Sequence, residues 1–187
     1  TLESRLGGLA YYDTDLGITW LSDANYAKTS GYDADGLMNW GDANAWAASL
    51  TVGGVGDWRL PTTLQPDTTC DGQSGGNGYG FGCTGSEMGH LFYTELGGTT
   101  GSSITTNHNS NFDLFTNIQS SHYWSGTEFA PIPEDNEWYF YFGGGYQNAG
   151  PKSQNLFAWA VHSGDVGAQV PEPGTLALMG LGLMGLL

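Results

Sequence analysis

Carboxylates alternate in Tyr32-Asp33-Ala34-Asp35-Gly36, an arrangement by which a tight loop can turn several oxygens toward one hard cation. Asp23, Asn25 and Asp42 lie close enough in sequence to complete a shell, so Asp33, Asp35, Asp23, Asn25 and Asp42 form a candidate calcium site. No glutamate stands at the closing position of a twelve-residue calcium loop, and the competing reading is a solvated turn whose aspartates bond their own backbone. Glu134-Asp135-Asn136-Glu137 is a second acidic cluster, read as a solvated loop. Asp13 and Asp15 make a pair too common in turns to argue from. Calcium is the one cofactor these residue types suggest.

Cys70 and Cys83 are the only cysteines and flank a segment made largely of Gly, Ser, Asn and Gln. Such a segment has little apolar surface to order it, so a covalent clasp is expected. Closing a loop of this length contributes about 3 kcal/mol in the chain-entropy model, and a disulfide implies an oxidising compartment. A metal site on these thiols lacks a second ligand pair at short spacing.

Catalysis finds little to stand on. The chain has no Gly-x-Ser-x-Gly elbow, no His-Glu-x-x-His and no phosphate loop, and His90, His108, His122 and His162 are scattered. No enzyme activity is expected. The tryptophans offer flat faces for sugar stacking, but Trp20, Trp40, Trp46, Trp58 and Trp124 sit in periodic or motif positions where core packing is the expected role. Arg59, between Trp58 and Leu60, is expected in an ion pair or over an aromatic ring.

The elements that must position these residues come from an unusual composition. The 187 residues include 31 glycines, seven tryptophans, ten tyrosines and eight phenylalanines, against only four basic residues, Arg5, Lys28, Arg59 and Lys152. A loop-rich domain with an aromatic core follows. A formal charge of −15 repels nucleic acid and anionic lipid, which excludes nucleic-acid binding.

Leu9-Ala10-Tyr11-Tyr12 and Ile18-Thr19-Trp20-Leu21 read as a hairpin. Ala43, Trp46, Ala47 and Leu50 share one helical face, with Asn39 as cap and Gly53-Gly54 beyond the end. A second helix of about three turns is predicted after Cys83, where Thr84 and Glu87 have capping-box spacing and Met88, Leu91 and Phe92 form a stripe. From Ser120 onward, residues 122–125, 137–142 and 157–161 read as an antiparallel meander of aromatic strands. The fold class is α+β, with two helices packed on a twisted, mainly antiparallel sheet that lies mostly in the second half.

Val170-Pro171-Glu172-Pro173-Gly174 precedes an apolar run to Leu187. As a helix this run reaches roughly 20 Å, short of a membrane core of about 30 Å. Motif and run resemble the PEP-CTERM sorting signal of Gram-negative bacteria, with Pro171, Glu172 and Pro173 as its motif. The resemblance implies export, recognition by exosortase-type machinery, membrane contact only through the tail, and residence at the outer cell surface or in the extracellular matrix. The basic cluster that this family carries after the apolar stretch is absent up to Leu187, and Thr1 is expected to follow a removed signal peptide.

Several clusters recur in an order that resembles the Lcl C-terminal domain family. They are Ile18-Thr19-Trp20-Leu21, Met38-Asn39-Trp40, Asp57-Trp58-Arg59-Leu60-Pro61-Thr62, Tyr123-Trp124-Ser125, Trp138-Tyr139-Phe140 and Phe157-Ala158-Trp159-Ala160-Val161. Trp20, Trp40, Asp57, Trp58, Arg59, Pro61, Trp124 and Trp159 are its motif residues, with structural roles. The resemblance implies a C-type-lectin-like or sulfatase-modifying-factor-like fold and a place among exported adhesins. For the namesake type it implies sulfated-glycan binding, from which this chain departs, since four basic residues make no cationic patch. His162 stands where the family's last strand commonly carries arginine.

The organisation expected is an N-terminal extension over 1–8, a globular domain over 9–166, and a linker and sorting tail over 167–187. The expected function is binding or adhesion at the cell surface or in a biofilm-type matrix, with a neutral glycan or protein as partner. The alternative is a structural subunit whose partner is itself, assembling into a filament or layer bridged by calcium.

Overall fold

The computed structural model describes residues 1–167, and the sorting motif Pro171, Glu172 and Pro173 lies outside them. The chain is α+β, with more strand than helix. Ten strands are β1 (Leu2–Arg5), β2 (Ala10–Asp13), β3 (Ile18–Leu21), β4 (Trp58–Arg59), β5 (Gly72–Ser74), β6 (Asn77–Phe81), β7 (His122–Glu128), β8 (Asn136–Tyr141), β9 (Tyr146–Pro151) and β10 (Val161–Ser163). They form two five-stranded sheets, ordered β1-β2-β3-β10-β4 and β5-β6-β9-β8-β7, in place of the single sheet expected, and all pairings are antiparallel.

The first sheet explains the Ile18-Thr19-Trp20-Leu21 motif. Every residue of β3 is buried, because β3 is paired on both edges, by β2 and by β10. In such a strand β-branched and aromatic side chains fit both faces. The preceding turn closes on the Asp13 side chain, whose Oδ1 accepts from the Asp15 and Leu16 amides. Residues 1–8, read as an extension, contribute β1 as the outer strand of this sheet.

The last strand requires a correction. The aromatic run 157–161 is not the strand; β10 begins at Val161 and ends at Ser163. Residues Ala158, Trp159 and Ala160 are buried on all sides. The run therefore shows no alternation, and it pairs singly, with Phe157 bridging Tyr123 in parallel and the Ala160 carbonyl accepting from Leu21.

Among the described residues there are three α-helices, α1 (Tyr26–Thr29), α2 (Trp40–Ser49) and α3 (Glu87–His90). In α2 the Asn39 side chain accepts from the Asp42 amide, and Ala43, Trp46 and Ala47 are buried, as the periodicity predicts. The second expected helix is shorter and irregular: α3 is followed directly by a π-turn over Leu91–Glu95. Thr84 does not cap it. Ser86 is the preceding extended residue, and its hydroxyl is spent on Asp67 Oδ2 at 2.8 Å. Gly89 is required here, since a Cβ at that position would collide with the Cys83 carbonyl.

Between these layers lies an aromatic core. Trp159 packs edge-on to Trp20 and Phe115, with centroids 5.4 and 5.2 Å apart, and contacts Tyr123 and Phe142. Fully burying rings of this size contributes roughly 2–3 kcal/mol each. Three of the core indoles are also held by their N–H groups: Trp124 donates to Met38, Trp159 to Leu21 and Trp58 to Val55, whereas those of Trp20 and Trp46 find no acceptor.

Candidate functional site

The Asp-Trp-Arg-Leu-Pro-Thr string works as a structural clamp. Arg59 makes a two-pronged ion pair to Glu87 at the start of α3, both bonds at 2.8 Å. Glu87 Oε2 also accepts from the Thr62 amide at 2.7 Å, and Arg59 Nε donates to Ser163. Asp57 precedes the clamp in left-handed backbone, φ 58°. The Pro61 carbonyl accepts from Gly126 and from the Ser125 hydroxyl. His162, in the place of the family's arginine, lies edge-on to Trp58 at 5.7 Å.

Cys70 and Cys83 form a disulfide. The loop they close contains β5 and β6, a hairpin turning at Gly75-Gly76. Strand propensity missed it because glycine has no side chain to signal a pleat.

The five expected calcium ligands are only partly brought together. Asp23 Oδ1 accepts from the Asn25 amide, and the Asn25 amide nitrogen Nδ2 donates to the Asp35 carbonyl at 3.3 Å. Asp33 turns inward on its own loop, where the Asp35 and Gly36 amides at 3.0 and 2.7 Å hold its carboxyl below the usual carboxylate range. Asp42 is hydrogen-bonded by Asn39 Nδ2 at 2.7 Å at the start of α2. Asp23 is further bound by Thr29 and Asn117. These carboxylates are engaged by protein donors.

Glu137 in the second acidic cluster is buried rather than solvated. Lys152 Nζ lies 2.9 Å from its Oε1 and 4.6 Å from the Trp40 ring centroid. Burial raises the Glu137 carboxyl above its ordinary value, with Lys152 opposing.

A more open feature lies on the second sheet, where the β5–β6 hairpin faces β8, β9 and the segment after β7. A cleft of about 440 Å³ is lined there by Ser74, Gly75, Asn77, Tyr79, Phe129, Pro131, Trp138 and Asn148. Tyr79 is exposed, Phe129 packs edge-on to Trp138 at 5.3 Å, and the buried Trp138 indole N–H has no hydrogen-bond acceptor. Sequence reading singled out none of these residues except Trp138, and that one as a strand residue. Their common location follows from the hairpin inside the disulfide loop, which composition had presented as structureless.

Fold and site together define a disulfide-clasped α+β domain built on two antiparallel sheets and an aromatic core. The chain belongs to the Lcl C-terminal domain family, whose profile matches residues 10–162. Residues 169–187 match the PEP-CTERM protein-sorting motif, which marks an exported bacterial protein sorted to the surface or matrix by exosortase-type machinery. No curated protein matches the chain.

Proposed function

We propose that this domain acts by binding, without catalysing a reaction, as an adhesive component of the bacterial surface or extracellular matrix. Its ligand class is a neutral glycan. The supporting observation is the cleft on the second sheet, where the Tyr79, Phe129 and Trp138 rings stand beside the Asn77 and Asn148 amides. Sugar rings present an apolar C–H face and a rim of hydroxyls, so aromatic walls with a few polar groups suit them.

Charge supports the neutral class. With four basic residues and nineteen carboxylates, sulfated or uronic polymers are repelled. Three histidines, His108, His122 and His162, are each engaged against an aromatic ring, which fits packing roles.

The test is an array of neutral and anionic glycans probed with the purified protein, followed by titration of any ligand against Tyr79→Ala and Asn148→Ala. Retention of neutral glycans alone, weakened about tenfold or more by Tyr79→Ala, is the expected result. Binding that ignores both substitutions would move the site elsewhere, and preference for sulfated chains would overturn the reading.

A further inference from the structure

The turn pair Asp13 and Asp15, weak on its own in the sequence, meets two distant residues in the fold. Asp13 ends β2, Asp15 lies in the following turn, His90 ends α3, and Glu95 ends the π-turn. One donor atom from each of the four lies within 4.8 Å of all the others. Asp13 and Glu95 are buried, at 0% and 4% exposure.

Two observations point to a ligand. The first is that Asp13 Oδ2, on a fully buried side chain, has no hydrogen-bond donor, and neither does buried His90 Nε2 find a partner. The second is how they face one another. His90 Nε2 stands 3.5 Å from Asp13 Oδ2 and 3.7 Å from Glu95 Oε1, aimed between the carboxylates and bonded to neither. An imidazolium making an ion pair would approach one oxygen at about 2.8 Å. Donors around a tetrahedral ion with bonds of about 2.0–2.1 Å stand about 3.3 Å apart, close to the spacing seen.

The π-turn explains how Glu95 enters the cluster. On a regular α-helix residues five apart point about 140° away from each other. The Leu96 amide instead bonds the Leu91 carbonyl, and this wider turn brings Glu95 round to the face of His90.

We propose that Asp13, Asp15, His90 and Glu95 bind a first-row divalent cation, with Zn2+ the best match. An imidazole with carboxylates suits zinc. Calcium prefers six to eight oxygen ligands, which this set does not supply. The ion ties the first hairpin to α3 and so acts as a structural crosslink. Among the described residues, a second group of metal-binding residue types, Asp67, Cys70 and Cys83, has its sulfurs committed to the disulfide.

The experiment uses untagged, chelator-treated protein in competition with a chromogenic zinc indicator of about micromolar affinity, alongside thermal unfolding with Zn2+ or Ca2+. The expected result is one equivalent of Zn2+ withdrawn from the indicator and a higher unfolding temperature with Zn2+ only. His90→Ala should weaken uptake by more than about 100-fold, beyond the loss typical of an outer-shell partner. Asp15→Asn, at an exposed turn position, should weaken it about tenfold while the metal-free protein keeps its unfolding temperature. No zinc uptake, uptake unchanged in both variants, or equal stabilisation by Ca2+ would each overturn the assignment.

Discussion

One short helical segment carries two charged clusters that differ in how far their polar atoms are satisfied. At its start, Glu87 takes two bonds from Arg59 and one from the Thr62 amide. Further along, His90 and Glu95 face Asp13 with the His90 Nε2 and Asp13 Oδ2 atoms unbonded. The first cluster has every feature of an ion pair kept for stability: a planar guanidinium, two parallel bonds and a third donor on the carboxylate. The second gathers three carboxylates around one imidazole and leaves buried Asp13 Oδ2 and His90 Nε2 without a hydrogen bond, which folding by itself does not favour. The saturated cluster is explained by structure alone, whereas the unsaturated one is where the proposed ion would supply the missing partners.

Removing a carboxylate should therefore have opposite consequences at the two places. Glu87→Ala strands the Arg59 guanidinium and the Thr62 amide, so a loss of about 3 kcal/mol is expected, as for breaking a partly buried pair. Urea unfolding at neutral pH measures it, and a loss below about 1 kcal/mol, the worth of a surface pair, would erase the distinction. Asp13→Asn keeps the oxygen that accepts from Asp15 and Leu16 and gives the other position a donor that His90 or Glu95 can accept. The metal-free protein should gain about 1 kcal/mol, since a buried unpaired group is converted to a paired one. The same substitution should abolish stabilisation by Zn2+, so the order of the two proteins in thermal unfolding should reverse when zinc is added.

The contrast also shows what could be read from residue order. Helix α2 was legible because its apolar positions recur at helical spacing and Asn39 supplies a local cap, both properties of a few adjacent residues. The β2–β3 hairpin was legible for the same reason. The Arg59 clamp was visible as a motif, though its partner Glu87 was assigned to a capping box, since spacing alone cannot show that a carboxylate reaches a distant guanidinium. The β10 strand was displaced because Ala158 to Val161 are all buried and carry no period. The cleft and the Asp13 cluster were invisible: each joins segments far apart in the chain, and the π-turn that swings Glu95 into place has no signature in composition.

A third carboxylate tests whether saturation, and not burial, gives the stabilising sign. Asp33 is surface-lying, yet the Asp35 and Gly36 amides lower its proton affinity below that of an ordinary aspartate. With the folded value depressed, the contribution is present above the unfolded value of about 3.9 and fades as pH falls through the lower folded value. Asp33→Asn should cost only a few tenths of a kcal/mol near pH 7, given its exposure to solvent. The difference between variant and parent should shrink as acid is added below about pH 4, which paired urea titrations from pH 7 to pH 2.5 would follow. A difference that stays constant across that range would mean that the carboxylate charge contributes nothing at Asp33. The opposite signs predicted for Glu87 and Asp13 would then have to be explained by burial and pairing at each site, without a rule shared by exposed carboxylates.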